Sequence, residues 1–375
     1  MEQTRIFTIQ YAGFIRQCIF KIIHALLLLC LTGSARAQLA RLDSVSHTLL
    51  LQGIHQVHIE AYDDALATFD TLMMHRPEHP IGYFGASAVY KTIMQNYRVK
   101  TYESQLDSLL DLTVAVGEKA VRKNRRDVLA YFYMGGAYGF RGLHKIRKRD
   151  WLGAFKDGVK GLNDIQTALD RDPKMYDAYY GLGTFHYWRS AKTKLLGLLP
   201  LFRKDKQRGI FEIEVAIEKG TYTPVECQYA LVPIYYDSGE YDKALKVNQN
   251  LFDQFPANPS CLYMRSRIFE QLANWDEALI AVKGLLAHIE ASKYQSIGYH
   301  MECHYLMAYY LHQLDRDGMA LQHLEKFQTF KEKRDASGEL EGPLENIDEI
   351  VENARGLHAQ IIQTTNGTTL YNPGQ

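Results

Sequence analysis

Between Val225 and Pro259 the chain reads VECQYALVPIYYDSGEYDKALKVNQNLFDQFPANP, and this stretch decides the fold. Leu231 and Tyr235 lie one helical turn apart, and Gly239 interrupts the helix they belong to. Tyr241 opens a second helix, Ala244 is the small residue needed where two helices cross, and Pro256 stops that helix. The register then recurs. Tyr241-Asp242-Lys243-Ala244-Leu245 is answered by Trp275-Asp276-Glu277-Ala278-Leu279, and Ala278 follows Ala244 by 34 residues. A helical pair repeated at a fixed period cannot bury its apolar face alone and must stack on its neighbours.

Working outward, Gly53, Tyr62, Ala65, Phe69 and Pro77 hold the same spacings. These residues resemble the tetratricopeptide repeat family, and the resemblance extends from Ser46 to Lys331. It predicts an all-α, right-handed solenoid of about seven helix-turn-helix repeats, closed by a C-terminal capping helix. The expected first helices start near Ser46, Pro80, Asp127, Tyr176, Val225, Pro259 and Gly298. Ala320 follows Ala278 by 42 residues, which puts an insertion of about eight residues near His288 to Ile297. Pro343 is read as opening the cap, with Leu344, Ile347, Ile350, Val351, Ala354, Leu357 and Ile361 on one stripe. The implied domains are a leader over 1–37, the solenoid over 38–335, the cap over 336–363 and a polar tail over 364–375. The turn between paired helices reads as expanded in repeats two, three and four, at Lys91–Ser104, Gly142–Asp150 and Ser190–Arg208.

Lys+Arg and Asp+Glu both number 43, so no global charge points to nucleic acid. The first residues resemble an export signal. Arg5, Arg16 and Lys21 precede an apolar run from Ile22 to Leu31, and Ala35-Arg36-Ala37 is a small-x-small cleavage site before Gln38. The expectation is an exported protein, periplasmic or envelope-associated. Cys227, Cys261 and Cys303 hold one register position in three consecutive repeats, too far apart for a relaxed disulfide, and read as buried thiols.

Motifs for catalysis are weak. His75-Arg76-Pro77-Glu78-His79 matches an inverted zinc-peptidase string, but Pro77 ends the helix that such a site requires. His300, Cys303 and His304 share one helical turn without a further ligand pair. There is no glycine-rich phosphate loop and no nucleophile elbow. The reading is therefore a non-catalytic protein with no metal and no cofactor.

Two features carry a binding expectation. The first is an aromatic at the fifth residue of six successive first helices: Phe84, Phe132, Tyr180, Tyr229, Tyr263 and Tyr305, joined by Tyr187 and Tyr236. By the family resemblance that position faces a concave groove that holds a peptide or protein segment. Two readings stand open, a contact surface or rings that stack to fill a tight superhelix. The second is the leucine-rich, basic stretch of repeat four. There Lys192, Lys194, Leu195, Leu198, Leu199, Phe202, Arg203 and Lys204 would dock on a partner or an anionic membrane, or fold back on the solenoid. The turns of repeats two to four would also bring Arg98, Lys100, Lys145, Arg147, Lys148 and Arg149 to that edge. The expected function is a protein–protein interaction scaffold, with a peripheral membrane adaptor as the alternative.

Overall fold

The computed structural model describes residues 42–192, 203–341 and 345–369. The leader and residues 193–202, with Lys194, Leu195, Leu198, Leu199 and Phe202, lie outside the described residues. Lys192, Arg203 and Lys204 are helical, and their side chains lie outside as well.

Fifteen helices make up the described chain from Asp43 onward. They are α1 Ser44–His58, α2 Tyr62–His75, α3 Ile81–Tyr97, α4 Glu103–Lys123, α5 Val128–Arg147, α6 Trp151–Arg171, α7 Ala178–Lys192 and α8 Arg203–Lys219. There follow α9 Pro224–Asp237, α10 Tyr241–Gln254, α11 Pro259–Gln271, α12 Trp275–Ala291, α13 Ile297–Gln313, α14 Asp317–Lys333 and α15 Ile347–Thr369. Each odd helix packs on the even helix after it, which gives seven antiparallel pairs, and α15 lies on α13 and α14. The starts are set by short polar side chains. Asp127, Asp150 and Asn258 each accept a hydrogen bond from the backbone N–H three residues on, at 3.0, 2.9 and 3.2 Å. Asp177 holds the start of α9 from a distance, taking the N–H groups of Thr221, Tyr222 and Thr223 on one buried carboxylate.

The crossings are as tight as their residues permit. Ala244, Ala278 and Ala320 are fully buried. In the third and fourth pairs glycines meet instead. A Cβ on Gly161 would come within 2.8 Å of the Gly135 carbonyl, and one on Gly209 within 2.6 Å of the Gly183 carbonyl.

The turns correct one expectation. Glu60, Arg98, Arg149, Gly239, Ala273 and Asp315 all have φ between 53° and 77°, each just past the first helix of its pair. The turn of repeat three is therefore the same three-residue left-handed turn used elsewhere, whereas that of repeat two, over 98–102, has five residues and bridges Val99 to Glu339. Their additional residues lengthen the helices, with 17 in α3, 20 in α5 and 21 in each of α4 and α6. Helical hydrogen bonding satisfies every interior backbone group, whereas a long loop would leave them to solvent. Pro343 and Leu344, expected to open the last helix, lie outside the described residues, and the helix runs from Ile347. It buries Ala354, Leu357 and Ile361 in one cluster with Met307, Leu311, Leu324 and Phe327.

Candidate functional site

The first helices of the pairs line the interior, and the early ones face the late ones across it. His58 on α1 bonds Glu226 on α9 at 3.1 Å and stacks on Tyr229 with centroids 5.8 Å apart. Ser260 on α11 donates to Asn96 on α3 at 2.8 Å. The left-handed Arg98 ends α3 and drives its guanidinium between Tyr299 and Tyr263, 4.0 and 5.2 Å from the ring centroids, where it pairs with Glu302 on α13. The Tyr263 hydroxyl donates to the same carboxylate at 2.9 Å. Backbone joins the clasp: the Lys100 N–H donates to the Gly338 carbonyl and the Leu340 N–H to the Arg98 carbonyl, both at 2.8 Å. Beside it, His288 on α12 donates to Glu60 at 2.6 Å, and the Tyr97 hydroxyl donates to Glu60 at 2.9 Å. These groups line a cleft of about 240 Å³ with Tyr62 and Tyr294. The solenoid thus closes on itself, repeats one and two against repeats five to seven.

Closure sorts the aromatic ladder. Tyr180, Tyr229, Tyr236, Tyr263, Tyr305 and Phe84 are half-buried, neither solvent-free nor open. Tyr263 is taken by Arg98, Tyr236 lies edge-on to Tyr241, and Tyr305 stacks on Tyr309. Phe84 stacks on Phe140 at 5.0 Å and fills the space over Gly136. Two expected groove residues are core instead. Tyr187 is fully buried, with its hydroxyl on the Ile234 carbonyl at 3.0 Å and on Asp237 at 2.6 Å, because it sits on the bare backbone of Gly209 where α7 meets α8. Phe132 is 8 % exposed and packs on Tyr133, since Phe84 sits on the bare backbone of Gly136 and brings α3 close to α5.

Around Glu226 the interior stays polar. Lys91 on α3 hangs 5.2 Å over the Phe140 ring and has no ion pair among the described residues. Burial, with Arg147 nearby, pushes its ammonium down to about 8, against the pull of Glu226. Tyr180 and Tyr229 feel the same carboxylate, and burial raises both hydroxyls. The Tyr229 hydroxyl and the second oxygen of Glu226 are buried without a hydrogen-bond partner among the described residues. The sequence places Lys91 at the start of an expanded turn, and the full length of α3 makes it an interior cation instead.

The basic edge is corrected by its partners. Lys145 pairs with Asp157 at 2.7 Å, Arg147 with Glu345 at 2.9 Å, Lys148 with Glu103 at 2.6 Å and Lys100 with Glu103 at 3.6 Å. Glu103, Asp107 and His144 could together hold a cation, yet the Lys148 ammonium already lies against both carboxylates. His75 and His79 point to separate partners, Asp43 at 3.2 Å and Asp127 at 3.6 Å. His304 meets His323 at 3.0 Å between ring nitrogens and stacks on Phe330, as does His300. Cys227, Cys261 and Cys303 are buried free thiols, and burial pushes that of Cys261 up to about 12.

Residues 229–293, from α9 into the turn after α12, match the family model for the tetratricopeptide repeat. No curated protein matches the sequence. Among solved structures, the APC/C hetero-tetramer Cut9–Hcn1 is similar with a TM-score of 0.52 at 13 % identity, over 88 % of this chain and 53 % of that one. PilW, a type IV pilus biogenesis factor, gives 0.45 at 14 % identity, over 64 % and 91 %. A tetratricopeptide repeat protein from Parabacteroides merdae gives 0.40 at 11 % identity, over 84 % and 100 %. Residues 229–293 thus carry tetratricopeptide repeats, and the described chain folds as an all-α solenoid. That fold is the fold of a protein–protein interaction scaffold, and at these identities the likeness is one of fold alone.

Proposed function

We propose that the protein is an exported, non-catalytic interaction scaffold of the cell envelope that holds an extended segment of another protein in its closed interior. The observation that carries this reading is the group around Glu226. Half-buried Tyr180 and Tyr229 offer ring surface, Lys91 offers a cation with no ion pair among the described residues, and the Tyr229 hydroxyl and Glu226 oxygen offer hydrogen bonds. Rings with few rotors and unmet polar groups suit an extended peptide, whose backbone N–H and C=O groups need partners every residue. Export rests on the leader sequence ending at Ala37.

The test is a photo-crosslinking amino acid placed at Tyr180 in the native cell, with Ala67 on the exposed side of α2 as control. A discrete adduct is expected from position 180 and not from 67, and Tyr229→Ala should lower its yield several-fold. Equal yields from both positions, or no adduct from 180, overturn the reading.

A further inference from the structure

The second helices form the outer layer, and one of them carries apolar groups on both sides. On α6, Ala154, Gly161, Ile165 and Ala168 are buried against α5. On the opposite side Trp151 is 59 % exposed, Leu152 65 % and Phe155 69 %, with Val159 continuing the stripe two turns on. At 100° per residue these four fall within one third of the helix circumference, so they form a single ridge. Isolated exposed apolar residues are ordinary, whereas a contiguous ridge of Trp, Leu and Phe marks a contact surface.

The charges bordering the ridge differ from those one turn earlier. Lys145, Arg147 and Lys148 are each held by a carboxylate. Arg149, at the ridge's head, and Lys156, on its flank, have no carboxylate within ion-pair distance among the described residues. Lys160, one turn further along that flank, donates to the Tyr138 hydroxyl at 3.1 Å and lies over its ring. Asp150 is spent on capping the helix through Gly153, and Asp157 is buried between Arg141 and Lys145. Along the first turns of α6 the charges bordering the ridge are therefore cationic, and the nearest carboxylate left over, Asp164, stands one turn beyond Lys160.

We infer that this face of α6 is a docking site for the interfacial layer of an anionic phospholipid membrane. Trp151, Leu152 and Phe155 enter among the headgroups, and Arg149 and Lys156 meet lipid phosphates. Three features favour lipid over a protein. The surface is a ridge one helix wide, suited to insertion and not to receiving a helix. Tryptophan stands at its end, where an indole with an apolar body and a polar N–H settles at a bilayer interface. Around Trp151, Leu152 and Phe155 the unpaired charges, Arg149 and Lys156, are of one sign, matching a surface of the opposite sign. Among the described residues no helix is long and apolar enough to cross a membrane. The inference goes beyond the scaffold reading and leaves the interior free.

The experiment uses the full chain after leader removal, with vesicles of phosphatidylcholine alone or with phosphatidylglycerol added. Of the three tryptophans, Trp151 is the exposed one, Trp188 and Trp275 being half-buried. Phosphatidylglycerol vesicles should float the protein and shift its emission to the blue, and Trp151→Phe should remove that shift while flotation persists. Leu152→Asp with Phe155→Asp should weaken flotation at least about tenfold. Arg149→Gln with Lys156→Gln should erase the preference for anionic lipid, and high salt should do the same. Met74→Asp, an exposed apolar residue on α2, serves as the control with unchanged binding. Unchanged circular dichroism in each variant keeps loss of fold apart from loss of docking. No flotation, equal binding to neutral vesicles, or self-association abolished by Phe155→Asp without vesicle binding each overturns the proposal.

Discussion

In repeats five and six the paired helices cross over Ala244 and Ala278, each filling its hole with one methyl group. In repeats three and four they cross at glycine pairs, Gly135 on Gly161 and Gly183 on Gly209, with backbone against backbone. The second kind of crossing tolerates no side chain at all, whatever the helix length: α5 and α6 have 20 and 21 residues, α7 and α8 have 15 and 17. The polar groups differ in the same way. In the middle repeats the buried histidines are paired, His144 with Glu103 at 2.8 Å and His186 with Glu212 at 2.6 Å. At the C-terminal end His304 has only His323 and the Phe330 ring. A solenoid repeat therefore fixes the spacing of its helices through one residue, and how closely they pack varies along the chain with that residue.

The largest effect should come from forcing a side chain into a glycine crossing. Gly209→Val would set its Cβ within 2.6 Å of the Gly183 carbonyl and 2.8 Å of the Tyr187 nitrogen. We expect a loss of about 3 kcal/mol or more in urea unfolding. A loss under about 1 kcal/mol would show that the two kinds of crossing are equivalent. Ala244→Leu should cost less, about 2 kcal/mol, because side chains around an alanine can shift where backbone cannot. Ala67→Leu, on the exposed side of α2, should stay within about 0.5 kcal/mol, and equal midpoints for the two leucine variants would break the register. The smallest effect concerns charge. Burial, with His323, Lys326 and His300 nearby, pushes the His304 imidazole down to about 4. The folded state then refuses a proton that the unfolded state takes near pH 6.5, so stability falls as the pH drops from about 6.5 toward 4. Part of that loss, on the order of 1 kcal/mol, should vanish in His304→Leu. Parallel pH curves for the two proteins would remove His304 from the balance.

Much of the fold could be read locally. The start of α10 at Tyr241, the start of α12 at Trp275 and the buried Ala244, Ala278 and Ala320 all follow from spacing within a single period. The three buried thiols were legible for the same reason. The middle repeats were misread because stretches such as Lys91–Ser104 lack a clear apolar stripe, while α3 runs on through Tyr97 as a helix packed on several sides. Tyr187 was misplaced because its burial depends on glycines in the partner helix. The exposed ridge of α6 went unnoticed because Trp151, Leu152 and Phe155 resemble core residues until the packing shows which side of the helix they occupy.

By itself the sequence determined the repeat, its period and the identity of the helix pairs, since these depend on residues three, four and 34 positions apart. Tertiary structure alone decided the closure. His288 finds Glu60 across 228 residues, Arg98 finds Glu302 across 204, and His58 finds Glu226 across 168. No local spacing encodes such pairs, because they depend on the small twist between neighbouring repeats, summed until the first helices meet the last. The same sum decided which tyrosines line the interior and which are core. It also leaves Lys91 without a carboxylate and the outer ridge of α6 without a protein partner among the described residues.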